Sequence, residues 1–246
     1  MNYDEHITAV KQEVDSLAEA VGAGLASDPV PTCPDWTVSD LTLHVGQFCG
    51  FWTHVLCEGT GRPKTPFPEQ PGDDPAAWLR MLGRQLVDQL NTTPGNTDVW
   101  TWYDPDHSAA FVARRCAHEL AVHRYDAQSA RGSCHPIGVG LAIDGIDEML
   151  VTLVHARHRT GDARGQSLRL DATDADASWF VTLLADRIDV VGTEAAARRS
   201  GSDADLVLRG TASDLELTLY GRRPLGGVDR SGDDAVLDAW QREFLF

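Results

Sequence analysis

The stretch C116-A-H-E-L-A-V-H-R-Y-D-A127 holds two histidines and a glutamate, side chains from which zinc sites are built. It departs from the H-E-x-x-H pattern of zinc proteases, because His123 follows His118 one residue too late. On a helix, residues four apart share a face, whereas residues five apart diverge by about 140°. His118 and His123 therefore cannot easily grip one ion, but Glu119 and His123 can. These two share a stripe with Val112, Cys116 and Leu120, the face expected to turn toward a core. A carboxylate and an imidazole facing a core need partners, since burying them bare is costly.

Two explanations fit. Arg115, four residues before Glu119, could form an ion pair with it, and a Glu119–His123 contact would complete the set. Alternatively, a second helix supplies another ligand. His44 falls on the apolar stripe Leu41–Val45–Phe48–Trp52, where an aliphatic residue is expected. His44, Glu119 and His123 together make a His₂Glu set, a ligand number that leaves a fourth position open for chemistry. Cys49 and Cys116 could intrude on this set, although small buried cysteines are more often core filler. His6, His54, His107, His118, His135, His155 and His158 fall in loops or off the inward faces. Asp126, three residues past His123, could orient that imidazole or simply be solvated at the helix end.

Four helices are needed to present these residues. The first spans 4–26, with Ile7, Val10, Val14, Leu17, Ala18, Val21 and Leu25 inward. A loop over 28–36, stiffened by three prolines, ends at Trp36, which is expected to plug the second helix. Thr37 with Asp40 then resembles a capping box for a helix reaching Cys57. A polar loop over 59–74 precedes a third helix over 75–91 and a fourth over 108–131, stopped by Gly132. Residues 1–132 thus read as a four-helix bundle, in which sites are built between facing helices.

The texture changes after 133–136. Residues 137–246 read as a separate α+β domain: a helix over 138–158, strands over 167–172 and 205–210, and helices over 211–220 and 233–246. Between them, 179–191 reads as strand, divisible in two at Ala185-Asp186.

Composition narrows the function. A formal charge of −16 disfavours nucleic acid and anionic lipid, so a small-molecule substrate is expected. No apolar run reaches the roughly 18 residues of a membrane helix, and MNYDEHITAV is no signal peptide, so the expected location is cytoplasmic. Five cysteines without C-x-x-C spacing are expected to be reduced thiols.

Three blocks resemble the mycothiol-dependent maleylpyruvate isomerase family. V30-P-T-C-P-D-W-T-V-S-D-L-T-L-H-V-G46 resembles its opening, with Asp35 where glycine is usual. R114-R-C-A-H-E-L-A-V-H-R-Y-D-A127 resembles its histidine-bearing helix, and L206-V-L-R-G-T-A-S-D-L-E-L-T-L-Y-G-R222 its closing segment. The resemblance implies a DinB-like four-helix bundle carrying one divalent metal, usually zinc, followed by a small α+β domain of sterol-carrier-like topology. It places the metal ligands at His44, Glu119 and His123, and a functional arginine at Arg222, with Arg223 its neighbour. It also implies mycothiol as the thiol cosubstrate and a small electrophile as its target, in an isomerase or a thiol S-transferase. Arg222 would then hold a carboxylate of thiol or substrate. A metal hydrolase and a non-catalytic metal-binding regulator are the alternatives.

Overall fold

The structure is a computed structural model that describes residues 1–62, 71–154, 165–185, 187–192, 204–222 and 227–244. Part of the 59–74 loop, Arg223, Asp186, the expected helix end with His155 and His158, and the last two residues lie outside these. The chain divides into two compact units, Met1–Ile137 and Gly138–Phe246.

In the first unit, α1 (Tyr3–Gly22), α2 (Val38–Glu58), α3 (Pro75–Thr92) and α4 (Ala109–Ser129) form the bundle. Side chains set the starts. Asn2 with Glu5, and Thr37 with Asp40, are reciprocal capping boxes, while Asp74 and Ser108 each accept from a first-turn N–H. Gly132, at φ 66°, closes α4. There the Gly132 and Ser133 N–H groups donate back to Ser129 and Gln128, a double bond that only a left-handed residue permits. The first helix ends sooner than its apolar spacing suggests, so Leu25 lies beyond it and is 68% exposed.

α4 packs on α1 and α2, and α3 packs on the same two helices, so α2 and α4 are neighbours. The close approach of α3 to α2 depends on Gly46, where an added Cβ would lie 1.9 Å from the Trp78 ring. α4 is buried almost all round, not along one stripe. This corrects the expectation for two histidines: His118 and His6 are both buried, with ring centroids 6.0 Å apart, on a face that α4 turns toward α1.

In the second unit, α5 (Val139–Glu148) runs into a π-helical turn at Met149–Leu153. The strands are β1 (Ser167–Ala172), β2 (Ser178–Leu183), β3 (Ile188–Val191), β4 (Leu206–Gly210) and β5 (Asp229–Gly232). Among the described residues they form one mixed sheet, ordered β3-β2-β1-β4-β5, with β1 and β4 parallel and the other pairs antiparallel. Leu168 pairs with Leu206 and Leu170 with Leu208, and all four are fully buried. α6 (Ala212–Leu219) packs on β1, β4 and α5, and α7 (Ala235–Phe244) on β1. Four helices followed by a small mixed sheet with helices is the fold class the sequence implies. The strand absent from that reading is β5, whose residues Asp229-Arg-Ser-Gly232 are all exposed at the sheet edge and carry no apolar alternation.

Candidate metal centre

His44 and Glu119 project from neighbouring helices, and His123 stands one turn beyond Glu119 on α4. The structure brings the three together: Glu119 Oε1 lies 3.1 Å from His44 Nε2 and 3.3 Å from His123 Nε2. One donor atom from each lies within 4.8 Å of the others, a spacing a single ion could bridge. Exposure is graded. The side chain of His123 is 6% exposed, Glu119 21% and His44 38%, so the cluster opens on the His44 side.

Two of the three donors are held from behind. Glu119 Oε2 accepts from Arg115, which leaves Oε1 for the cluster. Burial would push the Glu119 carboxyl up, but the Arg115 charge and hydrogen bonds from both histidines hold it well below the ordinary range. It is a carboxylate throughout the neutral range. His123 Nδ1 lies 2.8 Å from Asp126 Oδ2, which turns Nε2 toward Glu119. Asp126 is fully buried, so the solvated alternative is removed. Arg115 enters the sequence reading only as part of a rival ion pair. The ion pair and the convergence of Glu119 with the two histidines coexist, because the glutamate has two oxygens.

The loop before α2 completes the surroundings. Sequence position alone makes Trp36 a plug over the second helix. Its ring lies against α2, 5.0 Å from that of His44, and also stacks at 5.9 Å and 23° on that of His123. Cys49 and Cys116 are buried. Burial and the Glu119 charge push the Cys49 thiol up to about 12, so it stays neutral and is a poor ligand beside the carboxylate.

With no metal bound, His123 sits between two carboxylates. Burial pulls its pKa down, but hydrogen bonds to Asp126 and Glu119 and their charges raise it from 6.5 to about 9. The folded value lies above the unfolded one. Protonated His123 therefore stabilises metal-free protein fully below about 6.5, and that contribution is lost as pH rises through about 9. Chelator-stripped protein should lose up to about 3 kcal/mol across this window, seen as a falling melting temperature. His123→Gln should flatten this slope. An unchanged slope in that variant would assign the alkaline loss to other groups.

Arg222 belongs to the second unit and is half-buried. Gly221, at φ 67°, ends α6 in the same way that Gly132 ends α4. Gly221 N–H donates to Thr218 and Arg222 N–H to Leu217, which fixes the arginine backbone. Its Nη1 donates to the Tyr220 carbonyl at 3.0 Å, and the guanidinium lies 5.9 Å from the Tyr220 ring centroid. The Gly-Arg pair is thus a capping motif with an arginine attached.

Residues 7–128 match the mycothiol maleylpyruvate isomerase N-terminal domain, and residues 140–239 match the MDMPI C-terminal domain. A crystal structure of the mycothiol-dependent maleylpyruvate isomerase aligns over 94% of this chain and 93% of its own, at 14% identity and a TM-score of 0.56. A histidine-to-alanine mutant of that isomerase aligns over the same shares, at 15% identity and a TM-score of 0.62. At such identities the likeness is one of fold. No curated protein matches the chain. Among the described residues, no helix is long and apolar enough to cross a membrane.

Proposed function

Because this chain belongs to the mycothiol maleylpyruvate isomerase family, we propose that it is a metal-dependent enzyme that uses mycothiol to attack a small electrophile. The convergence of His44 Nε2, Glu119 Oε1 and His123 Nε2 carries this reading. The donor set fits a divalent ion, zinc first, with a coordination position left over. A cation bound there favours thiolate over thiol in a sulfur that approaches it, giving a strong nucleophile near neutral pH.

The chain's own residues do the rest. Asp126 holds His123 so that its Nε2 faces the cluster, and Arg115 keeps Glu119 ionised. Trp36 walls one side of the two histidines. Arg222 binds a carboxylate of the electrophile through its planar fork. In an isomerase, sulfur adds to one carbon of a conjugated cis double bond. The former double bond rotates as a single bond, and expulsion of the thiolate restores it as trans. In an S-transferase, the new C–S bond is kept. A hydrolase would need a further acid or base. The carboxylates at this cluster, Glu119 and Asp126, are already committed to Arg115 and the histidines.

Calorimetric titration of mycothiol into zinc-loaded and chelator-stripped protein tests the reading. Binding should appear in the loaded protein and weaken at least tenfold on stripping. It should also weaken as the pH falls and His123 and the thiol regain protons. Equal affinity in both forms would defeat the sulfur–metal mechanism. Binding in neither would shift the balance to the hydrolase or regulatory readings.

A further inference from the structure

The loop between α1 and α2 touches the candidate centre twice, through a buried carboxylate and through an aromatic ring. Asp126 is the junction. Its Oδ2 faces His123 Nδ1 at 2.8 Å, while its Oδ1 accepts from the Thr32 hydroxyl at 2.7 Å. Cys33 reaches Oδ2 with its thiol at 3.6 Å, a weaker contact. Thr32 also lies 3.2 Å from Ser129 Oγ, whose own proton goes to the Asp126 carbonyl.

A carboxylate with no exposed surface depends on such donors, and it can only accept. Its orientation is therefore set jointly by the imidazole on one oxygen and the threonine on the other. Four residues past Thr32, the chain delivers Trp36. Backbone bonds from Val30 N–H to the Trp36 carbonyl and from Trp36 N–H to the Cys33 carbonyl close the turn between them. The indole then lies against both His44 and His123.

We propose that Thr32 and Asp126 form a clasp that keys the 28–37 loop to the metal ligands. In this role both are positioning residues, and Trp36 is the wall that the clasp sets in place. The inference rests on the reading of His44, Glu119 and His123 as metal ligands. It goes beyond that reading by assigning a role to a loop that carries no ligand.

The loop's ends are held independently, by Arg131 on Asp28 and by the Thr37–Asp40 capping box. Thr32→Val keeps the side-chain shape and removes only the hydroxyl, so the loop should remain in place while the clasp opens. The readouts are the visible absorption of cobalt(II)-substituted protein, which follows ligand geometry, and cobalt affinity measured against a competing chelator.

Thr32→Val should still take one cobalt per chain, with a shifted absorption band and affinity reduced by no more than the roughly tenfold that losing a partner directly behind a metal ligand costs. Thr32→Ser should restore both. Asp126→Asn, which turns an amide toward His123, should move the band further and serves if the valine variant does not fold. Wild-type band and affinity in the folded Thr32→Val protein would overturn the clasp, as would a shift that serine fails to rescue. Wild-type protein that takes up no cobalt at all would instead remove the metal reading, and the clasp with it.

Discussion

Replacing Glu119 by Gln should all but empty the proposed metal site, in protein that otherwise keeps its fold. The carboxylate does two things at once. Its Oε1 lies at the meeting point of both histidines, and its charge faces Arg115, a cation buried directly behind it. The amide side chain would keep the volume, lose the negative charge, and leave the Arg115 charge without that offset while a divalent ion approaches. The ligand weakens and the field turns against the metal in one substitution. The loss should exceed the roughly 10–100-fold that removing a partner behind a ligand costs. His44→Ala and His123→Ala should also lower occupancy severely. His118→Ala should cost stability, because it removes a buried ring from the α1–α4 contact, yet keep about one ion per chain. Elemental analysis after dialysis against zinc decides the matter. Full occupancy in Glu119→Gln, or loss in His118→Ala alone, would mean that the wrong face of α4 has been chosen.

That face can be read from sequence only because two helices agree. α4 has little amphipathic period to follow: among residues 111–127, all but Arg114 and Glu119 are buried. One face meets α2 and carries His123 with Glu119, while another meets α1 and carries His118. A four-residue spacing and a histidine on the stripe of α2 pick out the first face. The second face escapes periodicity because burial on several sides looks like burial on none.

Local signals with a direct physical cause are equally readable. The Thr37–Asp40 box and Gly132 mark helix ends because their bonds are made within a few residues. Thr32 and Asp126 are 94 residues apart in sequence, and nothing in either neighbourhood announces the bond. β5 escapes for a related reason, since an exposed polar edge strand owes its existence to the β4 backbone and not to its own side chains. Trp36 stands out in the sequence, but its role depends on where a proline-rich turn sends it, which periodicity does not encode.

Arg222→Lys should separate metal from turnover. The arginine's backbone is set by the Gly221 cap, and its guanidinium is steered by the Tyr220 carbonyl and ring. Lysine can take the same backbone and keep the charge, so α6 and the fold should be unaffected. What it cannot reproduce is a planar fork that meets both oxygens of a carboxylate. If Arg222 binds the electrophile, the missing charge-assisted contact is worth about 2 kcal/mol, or roughly 30-fold in kcat/KM. With mycothiol and maleylpyruvate as probes, the loss should fall mainly on KM for the keto acid if the contact forms on binding. It should fall mainly on kcat if the contact tightens during the reaction. Zinc content and the calorimetric affinity for mycothiol should stay at wild-type values, because the proposed metal site would draw its ligands from α2 and α4. Arg222→Ala should lose more than Arg222→Lys, and Tyr220→Phe much less, since the carbonyl that orients the guanidinium survives. A lysine variant with wild-type kcat/KM would remove Arg222 from the chemistry. One that loses zinc would show that the arginine supports the metal site and not the substrate.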